Sequence, residues 1–252
     1  MTTISELPVF FCHGVPGCPQ DGSLLDAQGR TEVAPNLFDV SGQAPLTALL
    51  DMFDTTVADS GQHSFHVVGF SIGAMAALRL AAARPEQVAK VTVVSPAAPL
   101  SLGDFLPGMA GAPVFKLAMK RPSVLRLMTA AQGLLARKAP GVLINQLFAK
   151  CGAQERALLR DASFVACLKA GMRKSFGQHR DGYLAYLAAY VHDWGVELVQ
   201  VQAPVEIWHG DKDTWAPLAM AEALNEVLSA PCALNVVPEG EHYSTLQAVR
   251  LS

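Results

Sequence analysis

The stretch Gly69-Phe70-Ser71-Ile72-Gly73 constrains the fold more than any other part of the chain. It follows Ser64–Val68, a short apolar run that predicts a buried strand. It precedes Ala74–Ala83, an alanine-rich run that predicts a helix ending near Arg84-Pro85. The two glycines tolerate a tight bend, because glycine allows neighbouring backbone to approach closely. We therefore predict that Ser71 stands on a sharp strand-to-helix turn, with the helix N-terminus aimed at its hydroxyl.

Strand-like and helical runs alternate on both sides of this turn. Short apolar runs predict strands at 7–12, 31–35, 64–68, 88–95, 205–209 and 233–237. Helical patterns lie between them at 46–60, 74–83 and 218–228. Strands that alternate with helices form parallel sheets with right-handed crossovers. We therefore predict an α/β fold with a mostly parallel sheet of about six strands, whose carboxyl-end loops form the site.

Residues 104–193 interrupt this alternation with helical patterns alone, at 114–119, 123–135, 142–150, 154–159 and 183–194. We interpret 104–193 as a helical insertion after the fourth strand, and 1–103 together with 194–252 as the α/β core. The insertion carries thirteen Lys and Arg against five Asp and Glu, whereas the remainder carries six against seventeen. This surplus is either a solvated face or an attraction for an anionic substrate or an acidic partner. The Leu, Met and Ala content of the insertion argues against nucleic acid.

Composition excludes several other classes of protein. A chain of 252 residues, 51% hydrophobic and 16% charged, is long enough for one sizeable core. Its apolar runs are too short and broken for a membrane span. Met1–Glu6 lacks a basic start and a following apolar run, which argues against a signal peptide. The five cysteines show no paired spacing, which favours reduced thiols, a cytoplasmic location and no metal site. We also expect no cofactor.

Ser71 would need a base and a group that orients the base, because a serine hydroxyl is a poor nucleophile at neutral pH. His242, just past the last predicted strand and beside Gly240, is the best candidate base. We expect it on a loop that folds over the sheet edge. The weaker candidates are His13, His63, His66, His179, His192 and His209.

The orienting acid is either Asp213 or Asp211, since both follow a predicted strand and Gly210 lets the chain turn. Asp104 is a remote alternative. We favour Asp213 and interpret Asp211 as a turn residue whose side chain accepts backbone N–H groups.

Two backbone N–H groups are candidates for binding the negative charge that develops during attack. Ile72 lies at the start of the predicted helix, where the helix dipole favours an anion. Val15 lies in the loop His13–Gly17, directly after the first predicted strand. These residues would act through their backbone, so their side chains need not have a particular identity.

These motifs resemble the α/β-hydrolase family, and the resemblance covers nearly the whole chain. His13–Gly17 is similar to its oxyanion loop, Gly69–Gly73 to its nucleophile elbow, and Glu239–His242 to its histidine loop. Trp208–Pro217 resembles its acid loop, in which the second Asp is the triad acid, so the resemblance implies Asp213. The insertion corresponds to the family's cap, which forms the roof of the pocket.

The resemblance has further implications. The family usually has two more strands at the N-terminus, and too few residues precede Leu7 for them, so we expect a reduced sheet. The loop after His13–Gly17 is also short, which implies an altered pocket mouth. A serine in the elbow excludes members with an aspartate nucleophile, such as haloalkane dehalogenases. Candidate pocket-lining residues are Phe70, Tyr183, Tyr190 and Trp215, with packing of the cap on the core as the other interpretation of the two tyrosines.

Three functions fit these features. The first is hydrolysis of a small or medium apolar carboxylic ester through an acyl-enzyme formed on Ser71. The second is hydrolysis of a carbon–carbon bond in a diketone-like substrate with the same three residues. The third is a ligand receptor or signalling protein that retains the pocket. The sequence leaves open the natural substrate, thioester cleavage, acyl transfer and the oligomeric state.

Overall fold

Six parallel strands form a single sheet in residues 6–251, the part of the chain that the computed structural model describes. They are β1 (Val9–Cys12), β2 (Glu32–Val33), β3 (Phe65–Phe70), β4 (Val88–Val94), β5 (Val205–Gly210) and β6 (Cys232–Val237). Their order across the sheet is β2-β1-β3-β4-β5-β6, and every neighbouring pair is parallel. The predicted α/β class and the parallel sheet of about six strands are therefore confirmed.

Ten α-helices flank this sheet in the described residues. The core helices are α1 (Pro45–Ser60), α2 (Gly73–Ala83), α9 (Leu218–Val227) and α10 (His242–Ala248). Between β4 and β5 lie α3 (Ala112–Lys120), α4 (Pro122–Lys138), α5 (Pro140–Leu147), α6 (Ala153–Leu158), α7 (Ala162–Arg173) and α8 (Arg180–Val191). A π-helical segment, Lys174–Gln178, joins α7 to α8.

The register of the strands brings their carboxyl ends to one edge of the sheet. Cys12 at the end of β1 pairs with Gly69, and Phe70 at the end of β3 pairs with Val94. Gly210 at the end of β5 pairs with Val237 at the end of β6. The loops that follow β1, β3, β5 and β6 therefore emerge side by side, as expected for a site in a parallel sheet.

The helices between β4 and β5 pack on elements that follow these carboxyl ends. Helix α7 contacts a 3-10 turn after β1 (Pro19–Leu24), α6 contacts α10 and α8 contacts α1. A two-point ion pair joins Arg79 of α2 to Glu197 after α8, with N–O distances of 2.8 and 2.7 Å. This part of the chain thus lies against the edge where the candidate residues are found.

None of the helices within residues 6–251 combines the length and apolar character needed to cross a bilayer. The five cysteines are all free thiols. The stretch Met1–Glu6, predicted not to be a signal peptide, lies outside the described residues except for Glu6.

Candidate active site

Ser71 occupies a strained turn between β3 and α2. Its φ of +57° lies in the left-handed region, which serine rarely adopts. Its N–H donates to the Val94 carbonyl at 3.0 Å, and its own carbonyl accepts the Ala74 N–H at 3.1 Å. The side chain is half-buried, and its Oγ makes no hydrogen bond within residues 6–251. The turn therefore presents a serine hydroxyl that the surrounding protein leaves available.

The two glycines beside Ser71 are required by close backbone packing. A Cβ atom at Gly73 would lie 2.5 Å from the His13 carbonyl oxygen and closer still to that of Cys12. A Cβ atom at Gly69 would lie 2.7 Å from the Gly73 carbonyl oxygen. Real Cβ atoms do not approach oxygen this closely, so the strand-to-helix bend needs glycine at both positions.

Asp213 and His242 form a buried pair in the loops after β5 and β6. His242 Nδ1 lies 2.7 Å from Asp213 Oδ2, and Asp213 Oδ1 accepts the N–H groups of Trp215 and Ala216 at 2.8 and 3.0 Å. Burial alone would raise the pKa of Asp213, but the charge and hydrogen bond of His242 and the charge of His209 hold it below its ordinary value. Asp213 is therefore ionised at neutral pH. An ionised carboxylate can only accept, so His242 Nδ1 donates to Asp213, and Nε2 is the nitrogen left for proton transfer.

Asp211 does not have the turn role that the sequence suggested. It is exposed, and its side chain makes no hydrogen bond among the described residues. Asp213 itself accepts the backbone N–H groups that shape the turn, through the oxygen that does not contact His242. The Asp213 carboxylate thus holds the loop after β5 through Oδ1 and the His242 imidazole through Oδ2.

His242 is the first residue of α10, and the expectation that it lies in a loop is wrong. Its ring stacks on Trp215 with centroids 4.9 Å apart and lies 4.8 Å from the Phe70 ring. Its carbonyl accepts the Ser95 hydroxyl at 3.1 Å. The two aromatic contacts hold the His242 ring in place, and the hydrogen bond from Ser95 holds its backbone.

The segment after β4 contacts both the Ser71 turn and the start of α10 at His242. Ser95 donates to the His242 carbonyl, and the Ala97 N–H donates to the Ser71 carbonyl at 3.1 Å. Ser71 and His242 are thereby held at the same sheet edge, although no hydrogen bond joins their side chains within the described residues. Such bonds are often loose in a free enzyme and tighten with bound substrate.

Two buried carboxyl groups support His242, and sequence analysis missed both. Glu155 of α6 accepts the N–H groups of Tyr243 and Ser244, the second and third residues of α10, at 2.6 and 3.0 Å. Glu241, which precedes α10, accepts the N–H groups of Gly152 and Glu155 at 2.5 and 3.1 Å. Glu155 of α6 therefore caps the start of α10, and Glu241, just before α10, caps the start of α6. No local pattern reveals this, because the partners lie almost ninety residues apart.

The loop after β1 lies against the elbow. A Cβ atom placed on Gly14 would lie 3.4 Å from Ser71 Cβ. His13 Nε2 accepts the Leu37 N–H at 3.0 Å, and burial lowers the pKa of His13 to about 4. This neutral histidine therefore shapes the loop. The N–H groups of Val15 and Ile72 donate to no acceptor among residues 6–251, so both remain available for an oxyanion.

The four candidate pocket residues divide into two pairs. Phe70 and Trp215 flank His242, as described above. The Tyr183 ring contacts Phe38 and Phe176, with centroids 5.9 and 5.3 Å away. The Tyr190 hydroxyl donates to the Ala98 carbonyl at 3.1 Å. The contacts of these two tyrosines thus join α8 to the core. The sequence did not indicate three further aromatic residues. The Tyr243 ring lies 5.7 Å from His242, and Phe148 and Phe164 lie 6.3 and 5.2 Å from Tyr243.

Comparisons with known proteins agree with this architecture. A profile of the family described as alpha/beta hydrolase fold matches residues 8–249. No curated protein sequence matches significantly.

Similar solved structures include an esterase from Thermogutta terrifontis, at 16% identity, with 96% of this chain and 85% of that one covered and a TM-score of 0.67. A serine hydrolase from Cycloclasticus zankles is 15% identical, with 96% and 85% covered and a TM-score of 0.61. The enol-lactonase from Burkholderia xenovorans LB400 is 11% identical, with 96% and 86% covered and a TM-score of 0.62. At these identities the likeness establishes the shared fold. The profile match over nearly the whole length shows that the chain belongs to the α/β-hydrolase fold family.

Proposed function

We propose that the protein is a serine hydrolase that cleaves a small or medium apolar carboxylic ester through an acyl-enzyme. Ser71 is the nucleophile, His242 the general base and Asp213 the group that orients His242. The observation that carries the proposal is the 2.7 Å bond from His242 Nδ1 to Asp213 at the sheet edge where Ser71 is held in a left-handed turn. A serine, a base and an orienting acid are the groups that acyl transfer requires.

The geometry supports a definite sequence of steps. Ser71 Oγ attacks the ester carbonyl carbon while His242 Nε2 takes the hydroxyl proton, and the Asp213 carboxylate stabilises the imidazolium. The carbonyl oxygen gains negative charge and accepts the free N–H groups of Val15 and Ile72, with Ile72 at the start of α2. His242 then gives its proton to the departing alcohol. Water attacks the acyl-enzyme by the same steps and releases the acid.

The surroundings of His242 favour an apolar substrate. Its ring is enclosed by Phe70, Trp215 and Tyr243, with centroids 4.8, 4.9 and 5.7 Å away. Aromatic walls bind alkyl and aryl groups through buried apolar area. The esterase, serine hydrolase and enol-lactonase structures that share the fold are compatible with ester chemistry.

The proposal is tested with p-nitrophenyl esters of increasing acyl length and a fluorophosphonate that labels activated serines. The wild-type protein should turn over at least one ester and become labelled on Ser71. Ser71→Ala should lose the label and at least about 10³-fold in kcat, because the triad acts as a unit. Ser64→Ala, which removes a hydroxyl before β3, serves as the matched control. Labelling without turnover of any ester would contradict ester hydrolysis and favour the carbon–carbon hydrolase or the receptor.

A further inference from the structure

Two thiols and one carboxyl group lie together where α7 meets the loop after β1. Cys167 Sγ is 3.3 Å from Asp21 Oδ1, and Cys18 Sγ is 3.8 Å from the same oxygen. The three potential ligand atoms all lie within 4.8 Å of one another. All three side chains are buried, and the proposed chemistry does not use them. Asp21 Oδ2 also accepts the Cys18 N–H at 3.3 Å, which leaves Oδ1 facing the two thiols.

These separations match those of ligands around one tetrahedral cation. Zinc binds thiolate at about 2.3 Å and carboxylate at about 2.0 Å, which places tetrahedral S and O ligands about 3.5 Å apart. The two observed S–O separations lie on either side of that value. Asp21 Oδ1 and each of the two sulfur atoms are therefore already spaced within about 0.3 Å of what one tetrahedral cation requires.

A small cavity lies on the Asp21 side of the cluster. A cavity of about 10 Å³ adjoins Asp21 and is lined by Gly17, Met172 and Tyr243 among others. That volume holds about one water molecule. Two thiolates, one carboxylate and one water would complete a tetrahedral shell of the kind zinc prefers.

We propose that Cys18, Asp21 and Cys167 form a binding site for a divalent cation of the zinc type. On binding, the two thiols release their protons to solvent, as does the Asp21 carboxyl where it is protonated. The two thiolates neutralise the dication, and the Asp21 carboxylate supplies the third ligand. No electron is transferred. Sequence spacing predicted no metal site, because the two cysteines are 149 positions apart and only the fold brings them together.

Such a cation would tie the loop after β1 to the helical insertion. Cys18 follows Gly17, whose N–H donates to Ser175 Oγ in the π-helical segment at 3.1 Å. The same loop carries Val15, a proposed oxyanion donor. Because the cation would join two segments distant in sequence, residues 18–21 and Cys167 of α7, in the folded chain alone, it should stabilise the protein against unfolding.

The test is a titration of the reduced whole protein with Co²⁺ under argon, followed by displacement with Zn²⁺. We expect one Co²⁺ per chain, with thiolate-to-cobalt charge-transfer absorption and the visible bands of a tetrahedral centre. Zinc should abolish these bands and raise the melting temperature by about 5 °C or more. Cys18→Ser and Cys167→Ser should each weaken binding at least about 100-fold, and Asp21→Asn at least about tenfold.

Cys151→Ser and Cys232→Ser are the matched controls and should bind like the wild type. Circular dichroism of each variant without metal establishes that it is folded before its affinity is compared. The proposal is overturned if the reduced wild-type protein shows no thiolate band, or if the band persists in folded Cys18→Ser or Cys167→Ser. A Cys18–Cys167 disulfide in protein purified with reductant would also overturn it.

Discussion

Glu155 lies in α6, 87 residues before His242, yet its position predicts a direct effect on His242. Its carboxylate accepts the N–H groups of Tyr243 and Ser244, so it caps the helix that begins with His242. Replacing Glu155 by Ala leaves two helix N–H groups without their acceptor in a buried environment. The start of α10 should then loosen, and His242 should lose its fixed distance to Asp213.

The expected loss of stability follows from the two hydrogen bonds that Glu155→Ala removes. A hydrogen bond to a charged group is worth about 1.5–3 kcal/mol, so two give roughly 3–6 kcal/mol. Burial raises the pKa of Glu155, which means that part of this gain is spent on desolvating the carboxylate. We therefore expect Glu155→Ala to lower the free energy of unfolding by about 2–4 kcal/mol. A shift of His242 by up to 1 Å should lower kcat about 10²-fold and leave KM nearly unchanged.

Urea unfolding and ester kinetics measure the two effects, and a double-mutant cycle with Glu241→Ala tests the reciprocal capping. Because each carboxylate caps the other's helix, the two changes should couple by about 1 kcal/mol or more. Glu226→Ala, an exposed carboxylate on α9, should change stability by no more than about 0.5 kcal/mol. Full kcat in Glu155→Ala would show that this carboxylate does not position His242, and additive effects of the two substitutions would exclude reciprocal capping.

Other consequences can be measured with the same protein. Gly73→Ala should destabilise the chain by about 3 kcal/mol in urea unfolding, because its Cβ would overlap the backbone oxygens of Cys12 and His13; an unchanged midpoint would contradict the packing. Asp213→Asn should lower kcat about 10⁴-fold, since an amide can donate to Nδ1 and favour the wrong tautomer, and near-normal turnover would exclude the assigned acid. Stability should fall as the pH drops from about 6.5 towards 4, because burial lowers the pKa of His66 to about 3 and of His13 to about 4, so the unfolded chain takes up more protons. Asp21, whose pKa burial raises to about 7, opposes this change, so Asp21→Asn should steepen the loss of stability measured by urea unfolding between pH 7.5 and 5.

The sequence predicted those strands, turns and helices whose conformation depends mainly on residues close together in the chain. The β3–turn–α2 unit combines an apolar run, two glycines and an alanine-rich helix, and each of these limits the backbone on its own. The strands at 88–95 and 205–209 were equally visible, since buried parallel strands are continuous apolar runs. Helix α7 was missed, although Asp161 begins it by accepting the Ser163 N–H.

The supporting features of the site depend on contacts between distant residues. Glu155 and Glu241 have no pattern that relates them, and neither do Cys18 and Cys167. The start of α10 at His242 was hidden because the helix has only seven residues and its capping carboxylate comes from α6. Tyr183 and Tyr190 lie on one helix face, but only the fold shows that this face contacts Phe38 and Ala98.

In the proposed reaction, Ser71 forms a covalent acyl-enzyme while His242 takes its proton. Intact-protein and peptide mass spectrometry of samples quenched during turnover of a p-nitrophenyl ester tests this step most directly. We expect one added acyl group per chain on the peptide that contains Ser71. This group should accumulate only slowly in His242→Ala and be absent from Ser71→Ala. An acyl group on another residue, or turnover by Ser71→Ala within tenfold of the wild type, would contradict this step.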